Sequence, residues 1–121
     1  MKEKTIKKYF KRWCKKYNWL CWFPIRNRFK KVDIFGVFDV IIIKRSGEVG
    51  FVQLTTKSNI SARRRKIEKW LAENQLPFLE MLIYIFGFDK KTKEFKKIKI
   101  NELKYYEVEN RKKKSKDCRW F

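Results

Sequence analysis

Hydrophobic residues are concentrated in the middle of the chain, in two runs separated by a short polar stretch. Residues 37–43 and 49–55 are almost entirely apolar, and the stretch between them reads Lys-Arg-Ser-Gly-Glu. A short polar turn that contains a glycine, between two apolar runs, is typical of a β-hairpin. With Ser46 at the centre of the turn, Ile43 is expected to pair with Val49.

Two polar residues interrupt these runs, and the same register places them opposite each other. Asp39 pairs with Gln53, and Thr55 lies on the same face as Gln53 because side chains alternate along a strand. Burying a polar group without a partner costs about 2–7 kcal/mol, so the carboxylate needs compensation. A metal ion at the sheet surface is one candidate, and hydrogen bonds from the backbone or from Arg26 or Arg28 are the other.

The remaining elements follow from hydrophobic periodicity and from turn residues. Apolar residues at helical spacing predict a first helix, and an apolar stripe in the second half of the chain predicts another that is capped by the side chains of residues 58–61. Short apolar runs bounded by proline or charged residues predict three further strands. The predicted helices are residues 3–18 and 61–74, and the further strands are residues 19–23, 78–88 and 95–100.

This order of elements predicts a single α/β domain over residues 1–110 and a basic tail over residues 111–121. Because the central strands are apolar on both faces, we expect a central mixed sheet of about five strands that is flanked by helices.

Composition limits the class of protein and its compartment. The chain is 44% hydrophobic and 17% aromatic, which favours a folded domain, and it contains no apolar segment long enough to span a membrane. The N-terminus lacks the apolar core of a secretion signal. Three cysteines without close spacing, and no histidine, argue against a structural zinc site. We therefore expect free thiols and a cytoplasmic protein.

The net charge of +20 indicates a polyanionic partner. Residues 1–31 contain twelve Lys or Arg against one acidic residue, and four basic residues lie together in the second predicted helix. DNA is the favoured partner, an anionic membrane or another acidic partner is the alternative, and lysine enrichment from an A/T-rich genome would explain part of the charge without any partner. The predicted nucleic-acid-binding residues are Arg26, Arg28, Lys30, Lys31, Arg63, Arg64, Arg65 and Lys66.

The order of elements, with Phe38-Asp39-Val40 at the start of one strand and Gln53-Leu54-Thr55 on the next, resembles the PD-(D/E)XK nuclease superfamily. Archaeal Holliday-junction resolvases, restriction-endonuclease-like domains and a group of small phage and bacterial proteins belong to it. The resemblance implies a restriction-endonuclease-like fold, Mg²⁺ or Mn²⁺ bound by the first Asp and by the acidic residue of the triplet, DNA as the substrate, and a homodimer.

The chain departs from the superfamily pattern at two positions. Gln53 replaces the acidic ligand but still offers an amide oxygen, and Thr55 replaces the lysine and supplies no charge. Carried over by the resemblance, Lys57 or Lys66 would replace the lost lysine, and Glu3 would be an additional metal ligand beside Asp39. Two functions remain open: a Mg²⁺-dependent endonuclease, with branched DNA as the substrate that the resemblance suggests, and a nucleic-acid-binding module that does not cleave.

Overall fold

The computed structural model describes residues 3–25, 33–76 and 80–102. The five strands in these ranges form one sheet. The elements are α1 (Glu3–Tyr17), β1 (Leu20–Trp22), β2 (Val40–Ile43), β3 (Val49–Thr56), a 3-10 helix (Lys57–Asn59), α2 (Ile60–Glu73), β4 (Ile83–Asp89) and β5 (Glu94–Lys99). The strand order is β1-β2-β3-β4-β5; β3 and β4 run parallel, and the other neighbouring strands run antiparallel. The predicted α/β fold with a mixed sheet and flanking helices is confirmed, whereas the predicted tail at residues 111–121 lies outside the described residues.

The hairpin of β2 and β3 has the predicted register. Ile43 pairs with Val49, and the turn between them closes with a hydrogen bond from the Lys44 N–H to the Glu48 carbonyl at 2.8 Å. Gly47 supplies the positive φ of 92° that this turn requires. Strand β2 begins later than predicted because residues 34–38 form a tight turn of their own.

The two faces of the sheet are covered by different helices. On one face α1 packs against β3 and β4, and on the other face α2 packs against the opposite side of the same strands. The buried residues of α1 are Ile6, Phe10 and Cys14, and the main apolar contacts of α2 are Ile67 and Leu71. No helix in the described part of the chain is long and apolar enough to cross a membrane. Gln53 and Thr55 alternate with the residues that face α1, so they lie on the α2 side.

The start of α2 differs from the prediction. Within the described residues, Asn59 occupies the N-cap position without a side-chain capping hydrogen bond, so the expected polar cap does not form there. A 3-10 turn brings the chain from β3 into the helix instead. Gly87 on β4 makes this close approach possible, because a Cβ there would overlap Ile60 and lie 3.1 Å from the Cα of Lys57. The beginning of α2 is thereby held against β4, near the carboxyl ends of the parallel strands β3 and β4.

Cys14 and Cys21 are free thiols whose side chains are hydrogen-bonded to each other, and Cys118 lies outside the described residues. The hydrogen bond between the two thiols and burial raise the pKa of Cys14. The same hydrogen bond and the charge of Lys11 lower the pKa of Cys21 to about 7, against the opposing effect of burial.

Arg64 is a structural residue, and the prediction that it contacts nucleic acid is wrong. Its side chain is only 7% exposed because it points toward the interior from α2. The guanidinium Nε donates to Glu68 at 2.7 Å, and Nη2 donates to the backbone carbonyl of Glu102 at 3.0 Å. Since Glu68 is fully buried, this ion pair compensates a charge inside the protein.

Replacing Arg64 should therefore destabilise the fold. Arg64→Ala removes the guanidinium that pairs with the buried Glu68 carboxylate, and we expect a loss of about 3–5 kcal/mol in the free energy of unfolding. Urea unfolding measures the loss, with Lys69→Ala, an exposed position on the same helix, as the control. A loss no larger than that of the control would contradict the structural role of the pair.

Candidate functional site

Asp39, immediately before β2, and Gln53, in the second half of β3, form a buried hydrogen-bonded pair. Each is 4% exposed. The Asp39 carboxylate accepts hydrogen bonds through Oδ2 from Gln53 Nε2 and from the Leu54 N–H, both at 2.8 Å. The Asp39 N–H donates to the Val52 carbonyl at 2.9 Å, which continues the hairpin register one residue beyond β2. The predicted pairing is confirmed, and hydrogen bonds from β3 compensate the buried carboxylate.

The amide of Gln53 has only one orientation that fits its surroundings. Nε2 donates to Asp39 and approaches the Leu54 carbonyl at 3.3 Å, so an exchanged amide would direct an oxygen at two acceptors. The other end of the amide, Oε1, is buried and has no hydrogen-bond partner within residues 3–25, 33–76 and 80–102. An unsatisfied buried acceptor costs about 1–3 kcal/mol, and a cation or a hydrogen-bond donor would recover it.

A small cavity adjoins Gln53, and we call it the strand-end pocket. It lies where the first turn of α1, the carboxyl end of β3 and the start of α2 meet, and its volume is about 160 Å³. Since a water molecule occupies about 30 Å³ in the liquid, this volume suits a cation with several water ligands or a phosphate group. The lining residues are Glu3, Ile6, Gln53, Leu54, Thr55, Thr56, Asn59 and Arg63.

Two opposite charges line the strand-end pocket. The Glu3 carboxylate enters from α1, with Lys7 Nζ at 3.5 Å, and the half-buried Arg63 enters from α2. The superfamily resemblance implies Glu3 as a metal ligand, whereas the sequence predicts Arg63 only as one of several residues that bind nucleic-acid phosphates. Helical spacing could have predicted that Arg63 reaches the pocket. Arg63 lies four residues after Asn59, and residues four apart lie on the same face of a helix.

The two lysines proposed to replace the missing catalytic charge are placed differently. Lys57 is the first residue after β3, where the alternation of side chains ends, and its Nζ lies 3.5 Å from the Asp89 carboxylate. The pKa of Asp89 is lowered mainly by the hydrogen bond from the Lys91 N–H, with the charge of Lys57 contributing further. Lys57 is not among the residues that line the strand-end pocket, and its catalytic role stays a prediction. Lys66 is exposed on α2, one turn beyond Arg63.

The pocket offers oxygen donors to a hard cation. Gln53, Glu3 and the buried Thr55 are among the residues that line the cavity, and Asp39 holds the Gln53 amide in place. No cluster of three or more His, Cys, Asp or Glu side chains suited to a metal occurs in the described part of the chain. This donor set fits Mg²⁺ or Mn²⁺ that keeps most of its water ligands, as Mg²⁺ commonly does.

The predicted nucleic-acid-binding residues separate into three groups. Arg65 and Lys66 are exposed on α2 beside the half-buried Arg63, and Arg64 is buried. The others, Arg26, Arg28, Lys30 and Lys31, lie outside the described residues.

Comparisons with known proteins do not identify a family. No family model matches the chain, and no curated protein matches it. A solved structure of a protein of unknown function from Silicibacter pomeroyi is similar over 88% of this chain and 76% of that chain, with 12% sequence identity and a TM-score of 0.39.

A test of the metal site follows from the contact between Gln53 and Asp39. Gln53→Glu replaces a donor with a carboxylate 2.8 Å from another carboxylate, so it should destabilise the protein in EDTA through like-charge repulsion. Mg²⁺ should raise the Tm of Gln53→Glu by more than it raises the Tm of the wild type, because a cation between the two carboxylates removes that repulsion. Gln53→Ala is the control and should gain nothing from Mg²⁺. Equal metal responses of the two variants would exclude a cation site here.

Proposed function

We propose that this protein is a Mg²⁺-dependent DNA endonuclease. The observation that carries the proposal is the buried Oε1 of Gln53, which has no hydrogen-bond partner among the described residues, on a residue that lines a pocket together with Glu3 and Arg63. Gln53 and Arg63 line the same pocket near the carboxyl end of β3. A bound cation that polarises a phosphoryl oxygen, together with a guanidinium that binds the phosphate, would support metal-assisted phosphodiester hydrolysis.

The arrangement of elements supports the same proposal. One helix covers one face of the sheet, a three-stranded antiparallel unit follows, and α2 then leads to a strand parallel to β3. Asp39 immediately precedes β2, and Gln53-Leu54-Thr55 lies in β3, which is the placement that a restriction-endonuclease-like fold implies for its acidic motif. The homodimer implied by the same resemblance stays a prediction.

Four residues at or beside the pocket have defined roles in this proposal. Mg²⁺, when bound, would polarise a phosphoryl oxygen and lower the pKa of a coordinated water molecule. Gln53 Oε1 and Glu3 would hold the cation, and Asp39 fixes the Gln53 amide by accepting a hydrogen bond from its Nε2. The Arg63 guanidinium would bind the scissile phosphate through paired N–H donors, and it supplies the positive charge that Thr55 lacks.

A binding module that does not cleave is the second candidate. It is favoured by the neutral side chains at positions 53 and 55 and by Glu3 as the one carboxylate among the residues that line the pocket. In that case Arg63 and the exposed α2 residues would bind phosphates without turnover. Phosphate binding is common to both candidates, and cleavage distinguishes them.

The affinity for DNA should fall steeply with salt concentration, and residues near the start of α2 should contribute to that dependence. Each phosphate contact contributes about 0.9 to the slope of log K against log salt, so removing both Arg63 and Lys66 as alanine variants should lower the slope by about 1.8. The control is Arg45→Ala with Lys99→Ala, two exposed residues at the opposite end of the sheet, with the same loss of charge. Fluorescence anisotropy with duplex DNA measures the slopes, and equal slopes for the two double variants would exclude α2 as the contact surface.

Cleavage should require the Asp39–Gln53 pair and Arg63. We expect nicking of plasmid or branched DNA with Mg²⁺ or Mn²⁺, and Asp39→Asn or Arg63→Ala should each reduce it about 100-fold or more, the usual effect of losing one preorganised electrostatic contact. Lys57→Ala is the matched control and should leave cleavage unchanged, because Lys57 pairs with Asp89.

The double change Gln53→Glu with Thr55→Lys separates the two candidate functions. It restores the residues of the superfamily pattern and should increase cleavage, or produce it where the wild type is inert. If this variant is folded and binds DNA but does not cleave with Mg²⁺ or Mn²⁺, the non-cleaving module is the correct function.

A further inference from the structure

We propose that a second surface of this protein, the groove between α1 and β5, binds single-stranded DNA. The groove has a volume of about 410 Å³ and lies apart from the strand-end pocket, with no lining residue in common. It combines aromatic and basic side chains with a single acidic one. The lining residues are Tyr9, Arg12, Trp13, Lys16, Tyr17, Lys93, Glu94 and Phe95.

The aromatic residues of the groove provide a stacking surface. The rings of Trp13 and Tyr17 lie one turn apart on α1, with centroids 4.5 Å apart. Tyr17 is 49% exposed at the end of the helix, whereas Trp13 is anchored against Trp19 and Phe86 in the core. An exposed ring on a rigid base is the arrangement on which unpaired nucleobases stack.

Basic side chains are held beside these rings. The Arg12 guanidinium lies 5.4 Å from the ring centroid of Tyr9, and Lys16 Nζ lies 5.4 Å from that of Tyr17. Lys97 on β5 lies 5.9 Å from the centroid of Trp13. A strand whose bases stack on Tyr17 would therefore have cations within reach of its phosphates. The cations favour a polyanionic ligand, and the aromatic rings favour one whose bases can stack on them.

The combination favours a single strand over a duplex. In a duplex the faces of the bases are stacked on one another, so Tyr17 would have no base face to contact, whereas a single strand offers one per nucleotide. Phosphate contacts alone would be possible with either form of DNA. The aromatic contribution therefore distinguishes single-stranded from double-stranded ligand.

The position of the groove along α1 suggests how it would serve the proposed endonuclease, and this step rests on that proposed function. Glu3 in the strand-end pocket and Tyr17 in the groove are fourteen residues apart on one helix, or about 21 Å at 1.5 Å per residue. That distance corresponds to about six nucleotides at the stacked spacing of 3.4 Å. DNA with an unpaired segment beside a duplex is the substrate that would occupy both surfaces.

The test is an anisotropy titration in EDTA with a labelled oligo(dT) of about 12 nucleotides and with a duplex, so that cleavage plays no part. Tyr17→Ala should weaken oligo(dT) binding about tenfold, the usual effect of losing one stacked base, and should leave duplex binding unchanged. Tyr17→Phe retains the ring and should bind oligo(dT) as the wild type does. Because Tyr17 is exposed at the helix end, the variants should remain folded, which circular dichroism verifies.

Charge variants provide the second arm of the experiment. Arg12→Ala with Lys16→Ala should weaken oligo(dT) binding more than Arg45→Ala with Lys99→Ala, which removes the same charge elsewhere. Equal losses for the two pairs, or a Tyr17→Ala loss that is the same on duplex as on oligo(dT), would overturn the proposal. Absence of cleavage by the wild type would count against the endonuclease and would leave this titration unaffected, so the two proposals fail separately.

Discussion

The carboxylate of Asp39 is the group on which the rest of the site depends. It is buried at the end of a hairpin, where an ionised group is tolerated only when its oxygens accept hydrogen bonds. The Leu54 N–H and the Gln53 amide provide two such bonds, and both come from β3. This requirement joins the residue before β2 to the carboxyl end of β3. It also leaves Oε1 of Gln53 as the end of the amide that has no hydrogen-bond partner among the described residues.

The basic character of the protein divides into interior and surface roles. Residues 63–66 are four consecutive cations in the sequence, but successive residues of a helix point about 100° apart. Arg64 therefore turns toward Glu68 in the interior, Arg63 reaches the strand-end pocket, and Lys66 remains exposed. The four consecutive basic residues therefore occupy three different locations in the structure. The net charge alone does not predict which of them contacts a ligand.

The hairpin and its register could be predicted from the sequence because they depend on local signals. Turn residues fix which positions pair, and alternation then fixes which side chains share a face. The burial of Arg64 could not be predicted, because it depends on Glu68 and on the carbonyl of Glu102, thirty-eight residues away. The ion pair of Lys57 with Asp89 likewise depends on β3 ending at Thr56. The residue at which a strand ends is the feature that a hydrophobic pattern predicts least accurately. The shortened start of β2 has the same origin.

The dependence of the Asp39–Gln53 pair on register has an evolutionary consequence. Surface turns usually tolerate insertions and deletions, because their backbone is exposed and their contacts are few. The turn at residues 44–48 is exposed in most of its positions, yet it sets the pairing of both strands. Loss of one residue there would move every side chain of one strand to the opposite face relative to its partner. The length of this turn and its glycine at position 47 are therefore expected to be under selection in descendants of this gene, while the identities of its other solvent-facing residues are free to drift.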